Sequence, residues 1–484
     1  LRKAAYDRKE APEMDDFISF VNTAVKYLQH ERFQRALVTG GCLNEALTVL
    51  VNSYARFDAQ PSLNMESPDE DDAKALYDMR TSLNQVLSDV SALPEFKEAV
   101  PVVSPFSSSL RRWLSSPQLQ LQVCACIMLG NLARSDDACV EFVHVSAVHK
   151  PLIATLTTAT DSQLLHAALG FLKNLALPAK NKEAIGDAGI FDVLPRLWLL
   201  DTLQQIQFAS ISLTRKLVNG TFNNVRRVCH PLSDDEDSPA YMRSNLSLLI
   251  ALFDRTDVEP IKMEISRLIT AVCRVFNTFT GYTEERMERV RKKFFAMHPD
   301  VGRPLSFMVS QEKWPVVRSE GWFVFALMAR YPEGAQCISD LMQDVAVFQP
   351  LVYLLTGKNL VDYQPNCPAS SALSSAEISP ESSISNTLDG LAPESVKPDA
   401  QAAEMARVDR ENALVLVNQL LKNRGSEMAV MRRTLFEDLL KGGAEVHMSY
   451  KDATWGHTPV PRERRARGGA NIHEAVEQSV YEIS

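Results

Sequence analysis

Three polar side chains recur at nearly one interval: Asn131, Asn174 and Lys216 lie 43 and then 42 residues apart. Asn131 and Asn174 each open an Asn-Leu-Ala tripeptide after a run of small and apolar residues, in LQLQVCACIMLGNLA (119–133) and SQLLHAALGFLKNLA (162–176). A carboxamide carries both a donor and an acceptor. It can grip the backbone of an extended peptide, fasten an adjoining loop, or close its own helix end by bonding local carbonyls. The sequence leaves these alternatives open. Cationic groups gather at the same places: Arg134 follows Asn131, Lys173 precedes Asn174, and Arg215 adjoins Lys216, with Asn219 completing the third copy. The chemistry on offer is recognition of a partner surface.

No enzyme constellation accompanies these residues. The chain has no GxxxxGK[ST] phosphate loop, no GxGxxG after a strand, no HExxH and no GxSxG. VTGGCLN (38–44) follows a helix-like segment and reads as a helix–helix turn, and His166 falls where packing or groove lining is expected. The 8 cysteines form no CxxC pair and no cluster with histidine, which predicts core thiols in a reducing compartment. No catalytic residue, metal site or cofactor is expected. A net charge of −9 argues against nucleic acid as a whole-chain partner, yet suits a basic peptide or tail. With no run of 18 apolar residues and no signal-type hydrophobic region, a cytoplasmic protein without integral membrane contact is expected.

The elements that hold the polar positions are helical. Each Asn-Leu-Ala ends a segment with helical apolar spacing, then leads to a second (DDACVEFVHVSAV; NKEAIGDAGIF) and a third (KPLIATL; DVLPRLWLL). QQIQFASISLTRKLVNG (204–220) supplies another copy in register. A period near 42 with three helices per unit marks an armadillo or HEAT array. The expected fold is all-α: an armadillo/HEAT-like right-handed superhelical solenoid whose third helices line a concave face. Its expected parts are N-terminal helical repeats or cap (1–100) and core repeats (101–355) with an acidic insertion at 231–240. A Ser/Pro-rich disordered linker (356–401), a C-terminal helical repeat or cap (402–442) and a mostly irregular tail (443–484) follow. ESPDEDDAK (66–74) reads as a second acidic loop.

Armadillo grooves of the nuclear-import type carry a Trp one turn before each Asn; here Ile127 and Gly170 stand there. With cations beside the ladder, the face suits an acidic or mixed protein surface better than a lysine-rich peptide.

At GNLARSDDAC (130–139) and HAALGFLKNLALPAKNKEAI (166–185) the chain resembles the armadillo repeats of small-GTPase GDP dissociation stimulators, the Smg GDS type. The telling marks are the Arg-x-Asp after the first Asn-Leu-Ala, and the x-Pro with Asn181-Lys182 after the second. The acidic insertions and Ser/Pro segment depart from the animal form and imply a divergent, fungal member. The resemblance implies a solenoid that binds Rho- and Ras-type GTPases with polybasic, prenylated C-termini. It further implies exchange-factor or chaperone action, without side-chain catalysis. It would place Asn131, Arg134, Lys173, Asn174, Arg215, Lys216 and Asn219 nearest the GTPase. The alternative is an armadillo scaffold or cargo adaptor that binds an extended peptide without exchange activity.

Overall fold

A computed structural model describes residues 13–58, 70–360 and 400–454, excluding the side chains of 400–403 and 445–454. Among these residues all regular structure is helical, with one isolated antiparallel bridge between Pro231 and Ser244. The Ser/Pro run and the basic PRERRARGG (461–469) lie outside the described residues. The chain divides between Asp344 and Val345 into two compact units.

The first unit opens with α1 (Met14–Leu28), α2 (Glu31–Thr39), α3 (Leu43–Phe57) and α4 (Glu70–Ala92). Triplets follow: α5 (Pro94–Ala99), α6 (Pro105–Trp113), α7 (Leu119–Leu132); then α8 (Asp136–Val140), which runs on as a π turn (Glu141–Val145), α9 (His149–Thr158), α10 (Ser162–Leu175). Next come α11 (Ala179–Asp187), α12 (Ile190–Trp198), α13 (Gln204–Val218); then α14 (Phe222–Val228), α15 (Asn245–Arg255), α16 (Glu259–Thr278). The last triplet is α17 (Glu284–Met297), α18 (Arg303–Val309) after a 3-10 turn (Pro299–Gly302), and α19 (Pro315–Met328), with α20 (Pro332–Leu341) closing the unit.

The closing helices α1, α4, α7, α10, α13, α16 and α19 pack each on the next, making one continuous row. This is the armadillo pattern of third helices, built as a stack in which each repeat needs its neighbours to bury its apolar face. The composition of α7 shows why it sits inside: it carries no charge, and Leu121, Cys124, Met128 and Leu129 are all buried. Helix starts are set by side-chain caps, in which Ser104, Ser135, Asp161, Ser244 and Thr283 each accept a backbone N–H three residues on. Ala147 and Gly189 occupy matching turns before α9 and α12, and both adopt left-handed backbone, with φ of 51° and 86°.

The second unit holds α21 (Val345–Thr356), α22 (Ala400–Arg424) and α23 (Val430–Thr454), which pack on one another. Phe348 meets Phe436 edge to face at 5.7 Å.

Three details differ from the sequence reading. The expected acidic loop at 66–74 gives way to helix at Glu70, because Glu70, Asp71 and Asp72 sit in the first turn of α4, where the helix dipole favours negative charge. Residues 443–454 of the expected irregular tail continue α23, while the rest of that tail (455–484) lies outside the described residues; a Cβ at Gly443 would lie 3.0 Å from side-chain carbons of Leu355 and Leu414, so this glycine permits close packing. Finally, α21, at the end of the segment expected as core repeats (101–355), packs within the second unit.

Candidate interaction face

The expected recognition residues all fall at or just beyond the C-terminal ends of third helices α7, α10 and α13. Asn131 donates its amide to Ser91 Oγ on α4 (2.8 Å), and its Oδ1 accepts from exposed Arg134 (2.6 Å). Asn174 donates to the Gly130 carbonyl on α7 (3.0 Å). Both carboxamides therefore fasten one third helix to the one before it, which differs from each of the uses left open by the sequence. A further rung of the same kind crosses nearer the helix starts: buried Asn84 donates to Gln120 Oε1 (2.5 Å), and Gln120 donates to Gln163 (3.4 Å).

At α13 the device changes. Arg215 forms an ion pair with Glu264 of α16 at 2.7 Å, with side-chain exposures of only 12% and 6%. Burial alone would raise the Glu264 carboxyl, but the Arg215 charge and hydrogen bond, helped by Arg267, hold it below the ordinary carboxylate range. Arg267 in turn pairs with Glu320 of α19 at 3.4 Å. Lys216 is half-buried and close enough to Lys182 of α11 to act on it: burial, then the Lys216 charge, push the Lys182 ammonium below its usual range. Lys182 Nζ donates to the carbonyl of Asn219, the exposed C-cap of α13, at 2.7 Å. Lys173 is half-buried and engaged with its surroundings.

Two further asparagines, spaced like the others, act on the first helices. Asn181 donates to the carbonyls of Cys139 and Leu175 (both 2.9 Å), and Asn224 to those of Lys182 (2.8 Å) and Leu217 (2.9 Å). Each clamps its first helix to the preceding first helix and to the end of the preceding third helix. Both are fully buried. A Cβ at Gly186 would fall 2.0 Å from Asn224 Oδ1, so the glycine makes room for that clamp.

The row carries a gradient of charge. Asp15 and Asp16 on α1, and Asp71, Asp78 and Asp89 on α4, are exposed. Further along, α13, α16 and α19 present Lys216, Lys262, Arg274 and Arg318, and exposed Arg274 lies 5.5 Å over the ring of exposed Phe323 on the neighbouring third helix. That Arg–Phe pair is absent from the sequence-derived candidates, because its members come from different helices 49 residues apart. Between the two ends, a cavity of about 560 Å³ is lined by Ile127, Gln163, His166, Leu203, Gln205 and Ile206. Apart from His166 its walls are amide, hydroxyl (Ser162, Thr202) and apolar.

Burial pushes the Cys139 thiol up to about 11 and the Cys126 thiol up to about 12, which disfavours the reactive thiolate of both at neutral pH. Among the described residues no group of His, Cys, Asp and Glu is placed to hold a metal ion, and no helix is long and apolar enough to cross a membrane.

An all-helical repeat stack with a continuous row of third helices defines an armadillo-like solenoid. The chain's fold is similar to that of an engineered protein of known crystal structure, with a TM-score of 0.50 over 92% of this chain and 97% of that one, at 17% identity. In sequence part of it is similar to GTPase-GDP dissociation stimulators. It is 34% identical over 99 residues to the GTPase-GDP dissociation stimulator vimar of Drosophila melanogaster, a match covering 19% of this chain and 15% of vimar. It is 31% identical over 109 residues to the Rap1 GTPase-GDP dissociation stimulator 1-A of Xenopus laevis, and equally to 1-B, covering 22% of this chain and 18% of each relative. The chain thus matches less than a fifth of the length of these curated relatives. No family model matches it.

Proposed function

We propose that the third-helix row binds small GTPases of the Rho or Ras type bearing polybasic, prenylated C-terminal tails, and acts in the cytoplasm as a GDP dissociation stimulator, a chaperone of such GTPases, or both. The observation that carries the reading is the similarity to three proteins named as GTPase-GDP dissociation stimulators. The charge gradient supports it: exposed carboxylates on α1 and α4 suit a basic tail, and the cations from α13 onward suit the acidic surface of a folded domain. Exchange needs no catalytic side chain. A surface that binds the GTPase more tightly when its nucleotide pocket is open shifts the population toward that state, and GDP leaves.

Within this reading, Arg134, Lys216 and Asn219 are the contact residues at the ends of α7 and α13, with Lys173 beside them and Arg274 and Phe323 added from α16 and α19. Asn131, Asn174 and Arg215 act mainly by holding the third helices in register. The runner-up, an adaptor for an extended peptide, draws its support from the neutral, amide-lined cavity between α7, α10 and α13.

Titration calorimetry distinguishes the two. The chain is titrated with a GDP-loaded polybasic GTPase, the same GTPase lacking its tail, and the tail peptide alone. The proposal expects the intact protein to bind most tightly, and both truncated forms to bind more weakly. A tail peptide that binds as well as the intact GTPase replaces the proposal with the adaptor reading. No binding to any polybasic GTPase removes it.

A further inference from the structure

The loop joining α14 to α15 is the long exception among its kind: residues 229–244 stand where residues 188 and 189 join α11 to α12. Its base is closed. The Leu232 N–H donates to the Arg243 carbonyl (2.8 Å) beside the Pro231–Ser244 bridge, and Ser244 caps α15 while its hydroxyl meets Nε2 of buried His298 at 2.7 Å. From this base projects Ser233-Asp234-Asp235-Glu236-Asp237, a half-buried serine followed directly by four exposed carboxylates. Part of their bonding stays within the loop, with the Asp237 N–H on Asp235 and Tyr241 on Glu236.

The same base forms part of the wall of a second cavity, of about 600 Å³, which it shares with Arg226, Arg227, His230 and Asn245. Arg227 is engaged by Asp187 and Asn224, whereas Arg226 is exposed, as is Arg243. Asn245 is 7% exposed, donates to the Phe191 carbonyl, and leaves its Oδ1 without a hydrogen-bond partner. The wall also carries the carboxylates of Asp187, taken by Arg227, and of Asp192, so the exposed guanidiniums near the serine are those of Arg226 in the wall and Arg243 at the loop base.

We infer that Ser233 accepts a phosphoryl group from an acidophilic serine/threonine protein kinase, and that the resulting phosphoserine is held by Arg226 and Arg243 at the mouth of this cavity. The four carboxylates after Ser233 are the charge pattern by which a basic kinase cleft selects its substrate. In the transfer, Ser233 Oγ attacks the γ-phosphorus of ATP and the new O–P bond forms. The bond to the bridging oxygen breaks, ADP departs, and the hydroxyl proton passes to the kinase's base. The product carries nearly two negative charges beside four carboxylates, so it is repelled from the tip and drawn to the cations at the base. Arg243 lies directly across from Leu232, one residue from Ser233, and Arg226 lines the cavity that Leu232 also lines. Bonds from these guanidiniums would tie the insertion to α14. The inference stands apart from the GTPase reading and survives if that reading fails.

The test uses the full chain, ATP and an acidophilic kinase of the casein kinase type, with the modified position mapped by mass spectrometry. Phosphate on Ser233 is expected, abolished by Ser233→Ala, retained in Ser238→Ala, and formed far more slowly in the triple variant Asp234→Asn/Asp235→Asn/Glu236→Gln. Absence of phosphate, or phosphate confined to Ser238 or elsewhere, overturns the site. Cleavage of the tip by an acidic-residue-specific protease then reports docking. Phosphorylation should slow it at least about tenfold, the equivalent of one charge-assisted hydrogen bond, and Arg226→Ala/Arg243→Ala should restore it. Cleavage equally slow in that double variant overturns the proposed arginine clamp.

Discussion

The two halves of the third-helix row are joined by different chemistry. From α4 to α10 the rungs are neutral: Asn131 to Ser91, Asn174 to the Gly130 carbonyl, and Asn84 through Gln120 to Gln163. From α13 to α19 they are ionic: Arg215 to Glu264, then Arg267 to Glu320. The change falls at Lys216, the position where the Asn ladder ends. Neutral rungs cost little desolvation and tolerate any pH, while buried ion pairs fix register strongly only as long as both partners stay charged. The half with ionic rungs also presents Lys216, Arg274 and Arg318, so both its cohesion and its surface respond to charge.

Breaking an ionic rung should have the largest effect. Glu264→Ala removes the carboxylate that neutralises Arg215 in the packed interior and should cost roughly 3–5 kcal/mol in urea unfolding, whereas the double replacement Arg215→Met/Glu264→Leu should recover most of it. If Glu264→Ala cost no more than Asn174→Ala, the contrast between the halves would collapse. Removing a first-helix clamp should come next: Asn181→Ala strands two buried carbonyls and should cost about 2 kcal/mol, against about 1 kcal/mol for half-buried Asn174→Ala. Ala147→Gly should stabilise by up to about 1 kcal/mol, since it relieves left-handed backbone at an L-residue; a lower Tm would contradict that placement. The smallest effect expected is on binding. Lys216→Glu should weaken GTPase affinity about threefold, the scale of an exposed ion pair, with unchanged circular dichroism. Arg215 is a poor companion mutation, because reversing it would disrupt the stack.

Acid should separate the halves. Glu264 has its folded-state value below the ordinary 4.5, so its contribution is full above about pH 4.5 and disappears as pH falls through the depressed value. His298, after α17, is held neutral by burial at about 4 against an ordinary 6.5, so the stability of its site declines as pH falls from 6.5 toward 4. Burial also lowers the His149 pKa at the start of α9, so hydrogen exchange between pH 7 and 5 should show α9 as well as α15 and α17 losing protection. The halves should separate only below about pH 4.5, where Glu264 protonates and the α13–α16 contact opens before the α7–α10 contact. Equal loss in both contacts below about pH 4.5 would rule out this division.

The repeat was legible in the sequence where one residue type serves one bond in successive copies. Asn-Leu-Ala marks the helix ends because Asn131 and Asn174 each reach back to the preceding third helix. The repeat fades at Lys216 because the ionic rungs need two different residues on two helices. Glu264 looked like an ordinary polar position in MEISRLITAVCRVF, and only packing of α13 on α16 brings it to Arg215, 49 residues away. The charge gradient was hidden for a related reason: a net charge of −9 sums over the chain, and polarity along the row depends on which helices are neighbours.

The central claim is that this face regulates a small GTPase, and release of labelled GDP tests it most directly. A polybasic Rho- or Ras-type GTPase loaded with fluorescent GDP is mixed with excess unlabelled nucleotide, with and without the chain, at low and high salt. The account predicts faster release in the presence of the chain, weakened by salt and by Lys216→Glu. A release rate unchanged by the chain, in a mixture where the GTPase is shown to be bound, would contradict exchange activity and leave only chaperoning or scaffolding.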